Sequence, residues 1–137
     1  NAGFACFGSV AELASDLQTQ SLGDVCALVE RRYRGLQRLR ELLGDAAIGY
    51  EPFGSHELFF PHEVAWWEQC RDLLPTFNAE LMRITRVAEN FSVADVAIPA
   101  LTRLGVNPLA ARAIRETALG ANTSGPLYPA ARMRNPR

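Results

Sequence analysis

Residues 24–60 read DVCALVERRYRGLQRLRELLGDAAIGYEPFGSHELFF, and the change of pattern inside this stretch decides the fold class. In its first half, Val25, Leu28, Val29, Leu36, Leu39 and Leu43 fall at three- and four-residue spacing, which is one buried stripe on a helix. The stripe predicts a long helix from about Asp24 to Leu43, and Gly44 supplies a C-terminal stop. From Ile48 to Phe60 the pattern changes to short aromatic-rich runs around Gly54-Ser55. That change predicts two short strands joined as one short β-hairpin. Pro52 has no N–H to give a ladder, so the first strand is expected at an edge or to end early. A long helix followed by a hairpin sets the class as α+β, predominantly helical.

Working outward, Ser9 with Glu12 three residues on has capping-box spacing, predicting a short helix to about Gln18. A third helix is predicted after Pro61, through Val64, Trp67, Leu73 and Leu74. It should break or kink at Pro75 and resume through Phe77, Leu81 and Ile84. Two further helices are expected over 92–104 and 108–119, the second opened by Asn107-Pro108. Together they could form a helix-turn-helix joined at 105–107, and 122–137 reads as a frayed terminus. Composition changes near residue 91: eight arginines and thirteen acids precede residue 92, six arginines and two acids follow. Eleven of the twelve aromatic residues lie before it. The expected organisation is therefore a helix–helix–hairpin–helix segment over 1–91 and a helical tail over 92–137.

The 137 residues are 48% hydrophobic and 21% charged, enough apolar material for a packed core. A net charge of −1 argues against a polyanion-binding protein driven by bulk charge. All fourteen basic residues are arginine, which excludes Schiff-base, phosphate-loop and general-base lysines. No run approaches the roughly 20 apolar residues needed to span a bilayer. Cys6, Cys26 and Cys70 are odd in number and widely spaced, so buried thiols in a reducing, cytoplasmic setting are expected rather than a disulfide framework. With His56 and His62 they make no metal-ligand spacing, and no metal site is expected. The chain opens at Asn1 rather than methionine, and we expect it to be an internal segment of a longer protein.

Charged and aromatic clusters read mainly as structure. Arg31, Arg32, Arg34, Arg38 and Arg40 fit the solvated side of the second helix, with Glu30–Arg34 as a four-residue ion pair. Gly35, costly inside a helix, suggests a close backbone approach. Trp66-Trp67 and Phe59-Phe60 read as core and edge packing. Acid–base work by Glu51, Glu57 or Glu63 would need them to converge on a pocket, which their spacing does not demand. No nucleophile elbow, Walker loop or dinucleotide fingerprint is present, and no catalytic residue is named. The opening NAGFACFGS is the exception. Its small residues admit close approach by a planar or phosphorylated ligand, and amides at the helix start beyond it suit anions.

That segment, Asn1-Ala2-Gly3-Phe4-Ala5-Cys6-Phe7-Gly8-Ser9, resembles the interior of FAD-dependent oxidoreductases of the D-amino-acid oxidase/glycine oxidase (DAO) family. There a loop of small residues lies beside the flavin, after the dinucleotide-binding unit. The order that follows is also similar: an arginine-rich helix (VERRYRGLQRLRELLGD), then GSHELFF, which looks like the family's G-x-x-E-L-F approach to the substrate domain. The likeness covers about residues 1–90, and residues 92–137 depart from the family's pattern. The resemblance implies an incomplete piece of a two-domain flavoprotein fold, with Asn1, Ala2, Gly3 and Phe4 near FAD. The parent activity it implies is hydride transfer from an amine or amino acid to flavin. With the glycine-rich fingerprint and the substrate half missing, the chain alone is expected to be inactive and to hold no FAD. The alternative is a small helical interaction module without catalysis.

Overall fold

The computed structural model describes residues 4–5, 7–52, 54–94, 112–116 and 121–123. Their order is β1 (Phe4–Ala5), α1 (Val10–Asp16), α2 (Leu22–Leu43), α3 (Asp45–Ile48), β2 (Tyr50–Glu51) and β3 (Ser55–Phe59). A single 3₁₀ turn (Pro61–Glu63), α4 (Val64–Thr85), β4 (Phe91–Ala94), β5 (Arg112–Glu116) and β6 (Ala121–Thr123) complete it. The fold is α+β and predominantly helical.

Side-chain caps set the starts of α1 and α2. Ser9 accepts from the Glu12 amide at α1, and Ser21 accepts from the Asp24 amide at α2. Gly44, at φ +79, ends α2 and leads into the short α3, which Gly49 stops in the left-handed conformation. Val25, Val29 and Leu36 of the predicted stripe are buried, whereas Leu43 at its end is exposed. On α4, Cys70, Leu74, Phe77, Leu81 and Thr85 form the buried line. Phe77 meets Phe91 edge to face at 6.3 Å, and α1, α2 and α4 share one core with Phe59 and Ile114 from the sheet.

The strands form two sheets. One has the order β1-β6-β2, the other β3-β5-β4, with every pairing antiparallel. In the second sheet β3 and β4 therefore run parallel on either side of β5, and α4 connects them: a split β–α–β unit. Asn78 fixes α4 to β4, donating from Nδ2 to the Phe91 carbonyl (2.8 Å) while Oδ1 accepts the Phe91 N–H (2.9 Å).

Four expectations need correction. No hairpin joins β2 to β3: β2 pairs with β6 and β3 with β5, so the two strands belong to different sheets. Pro52 ends β2, Gly54 turns the chain at φ +70, and long-range pairing takes the place of the local one. The expected helices over 92–104 and 108–119 are strands where described, at 92–94 and 112–116. RAIRE is a helix-favouring run, but it lies between two strands and pairing overrides its local preference. The remainder of both spans lies outside the described residues, as does most of the expected frayed terminus, although 122–123 belong to β6. The helix-turn-helix reading loses its two helices at those strands. Nor does the compositional change at residue 91 separate the described parts, because β5 and β6 sit centrally in the two sheets.

Helix α4 runs unbroken across Pro75, whose ring lies on the exposed side. Gly35, expected at a close approach, is exposed, and a Cβ built there meets nothing within 4 Å. The Gly35→Ala variant should therefore stabilise the chain by about 0.5–1 kcal/mol in urea unfolding, through helix propensity alone.

Candidate functional site

The functional reading of the sequence rests on the segment before α1, and the structure shows how that segment is held. Asn1, Ala2 and Gly3 lie outside the described residues, while Phe4 is in β1, paired with Asn122. Phe7 is buried and meets Tyr33 edge to face at 5.6 Å. Its carbonyl accepts from Arg32 Nη1 at 3.1 Å, and the same nitrogen pairs with Glu12 at 3.0 Å. Gly8 has φ +122, and a Cβ there would come 2.7 Å from the Leu13 side chain. Only glycine fits, because both the backbone conformation and the space exclude a side chain.

Next comes Ser9, where two distant parts of the chain meet. Its hydroxyl donates to Glu57 Oε1 at 2.7 Å, and the Ala11 N–H donates to Glu57 Oε2 at 3.1 Å. The Glu12 amide reaches the Ser9 hydroxyl oxygen (3.3 Å) and the Leu13 amide the Ser9 carbonyl (2.9 Å). The Val10 amide faces Glu116, whose carboxylate it favours. The Ala11 and Glu12 N–H groups of the first turn, otherwise orphaned, are thus engaged within the protein. Three carboxylates, Glu12, Glu57 and Glu116, stand beside that turn and repel an anionic ligand, so the expected anion-friendly helix start is corrected.

Glu116, at the end of β5, is 1% exposed. Its Oε2 accepts from the Ser55 hydroxyl across the ladder, while Oε1 is buried without a hydrogen-bond partner. Burial pushes its pKa up to about 7; Glu57 and Glu12 add to the rise, and the Ser55 hydroxyl and Val10 amide oppose it. Of the three acids considered from sequence, only Glu57 enters this cluster. Glu51 is exposed on β2, and Glu63 accepts from the Phe60 N–H at 2.8 Å. Glu116 was missed because its stretch reads as helix, which hides its place opposite Ser55.

The remaining candidates resolve as structure. Trp66 and Trp67 are both half-buried against the core, and the Arg71 and Arg112 guanidinium groups lie over the Trp67 ring at 5.0 and 5.1 Å. Several arginines of the α2 cluster are paired at the surface: Arg34 with Glu30 and Arg38 with Glu41. Arg40 grips Asp45 at 2.7 and 2.9 Å while lying 4.1 Å over the Tyr50 ring. That grip lowers the Asp45 pKa, chiefly through the hydrogen bond. His62 stacks on Phe60, and His56 is exposed on β3, with its pKa lowered by partial burial and Arg115. Among the described residues, no three His, Cys, Asp or Glu side chains group to hold a metal. No described helix is long and apolar enough to cross a membrane.

The comparisons with known proteins come out empty. No family model, curated protein or solved structure matches the chain.

Burial, with Glu57 adding to it, pushes the Cys70 thiol up to about 12, and the residue is fully buried. At about pH 8, iodoacetamide should leave Cys70 unmodified in the folded chain and label it once urea unfolds the chain, as read by peptide mass mapping.

Proposed function

We propose that this chain is part of an FAD-dependent oxidoreductase that oxidises an amine or amino acid, with Asn1, Ala2, Gly3 and Phe4 lying beside the flavin. The observation that supports the reading is the meeting of the two motifs that carry the family resemblance. NAGFACFGS and GSHELFF lie far apart in sequence, and Glu57 of the second holds Ser9 at the end of the first and Ala11 just beyond it. A segment meant to lie against a planar ring needs a rigid footing. Phe7 in the core, Arg32 on its carbonyl, and Glu57 on the following turn provide one.

The same geometry limits what this chain contributes. FAD would supply the hydride acceptor. Its pyrophosphate does not fit the start of α1, where Glu57 and Ser9 already take the Ala11 and Glu12 amides and Glu57 and Glu116 bring negative charge. The chain's own part is to present small residues to the ring and to hold them in place. Pyrophosphate binding falls to a glycine-rich unit elsewhere in the parent protein. A cytoplasmic location belongs to the same reading.

The test uses the complete reading frame that carries these residues. It should encode a strand, a G-x-G-x-x-G turn and an acidic residue about 20 positions on, upstream of Asn1. Its purified product should show a flavin absorption band that bleaches when an amine or amino acid is added without oxygen. The 137-residue chain alone should show no such band. A start codon immediately before Asn1, or a colourless full-length product that binds no FAD, contradicts the proposal.

A further inference from the structure

Glu116 is a buried acid that the functional reading leaves unused, and its surroundings distinguish its two protonation states. Oε1 is enclosed without a hydrogen-bond partner, which is tolerable for a neutral carboxyl group and costly for a charged one. Four elements supply its surroundings. From β3 come the Ser55 hydroxyl, bonded to Oε2, and the Glu57 carboxylate. From α1 come the Val10 amide and Glu12, the latter paired with Arg32 of α2. On β4 its cross-strand neighbour is the buried Phe91. From α4, Cys70 lies near Glu57 and stays a neutral thiol. His56 and Arg115 alternate to the other face of the sheet. Arg32, the guanidinium paired with Glu12, is engaged by that acid and by the Phe7 carbonyl.

We propose that Glu116 is a proton-operated latch: protonated, it seats the start of α1 on the β3–β5 ladder, and on losing its proton it loosens that seat and the segment before it. A charged Glu116 would sit beside Glu57, which holds the Ser9 hydroxyl and Ala11 amide. The repulsion therefore acts on the group that fastens the helix. The latch is independent of the flavin reading, since it needs no ligand and concerns this chain alone.

The sign follows from linkage. A carboxyl group whose pKa is raised in the folded chain adds stability that is fully present below the ordinary glutamate range. That stability is lost as pH rises through about 7. His56, with its pKa lowered, acts in the opposite sense, since its contribution grows as pH rises toward the ordinary histidine range.

The test combines carbon-13 NMR of glutamate carboxyl groups, thermal unfolding, and amide-exchange protection at residues 10–12, all on the full chain from about pH 5 to about pH 8.5. We expect one carboxyl signal to titrate near pH 7. Over the same range Tm should fall by several degrees and protection at residues 10–12 should drop at least several-fold. Glu116→Gln should remove that signal and flatten both trends. If no glutamate titrates above the ordinary range, or if Tm and protection hold steady while one does, the proposal is overturned. Should Glu116→Gln fail to fold, the wild-type titration and protection data decide the matter.

Discussion

Both carboxylate oxygens of Glu57 are committed to one turn of helix, Oε1 to the Ser9 hydroxyl and Oε2 to the Ala11 amide. Much of the molecule's organisation depends on this grip. It joins β3 to the start of α1, and so joins a strand of the larger sheet to the segment that enters from β1. Hydrogen bonds to a charged acceptor contribute about 1.5–3 kcal/mol each when well made. These two are part-buried, where water competes less for the carboxylate. Helix α1 is seven residues long, too short to be stable without tertiary contacts. Its position is therefore set by Glu57 and by burial of Val10, Leu13 and Ala14.

The helices were legible in the sequence because their signals are local. Ser9 and Ser21 cap where a capping residue should, the apolar stripe of α2 is read from spacing, and Gly44 stops that helix. The extent of α4 is legible in the sequence, and no break occurs at Pro75, because a proline on an exposed face can be carried by packing on the opposite side. The sheets were not legible. Four of the six strands among the described residues have two to four residues, and each is specified by a partner far along the chain rather than by its own alternation. β5 is the plainest case: Arg112 to Glu116 would make a respectable helical turn anywhere but between β3 and β4.

The candidate site was legible by half for the same reason. The small-residue run before α1 can be recognised from composition, and the GSHELFF motif from its residues. That Glu57 connects them follows only once β3 is placed under α1. Glu116 could not be found at all, since its chemistry comes from burial beside Ser55 and Glu57. The close juxtaposition of two acids also explains why the first turn of α1 is a poor place for an anion, despite the general affinity of helix starts for negative charge.

The central claim is that Glu57 and Ser9 fasten two separated motifs into one unit, and a double-mutant cycle tests it most directly. Urea unfolding of Ser9→Ala, Glu57→Ala and the double variant should be measured at mildly acidic pH, where Glu116 is neutral. The two positions should couple by about 1 kcal/mol or more. Effects that add to within about 0.3 kcal/mol would contradict it.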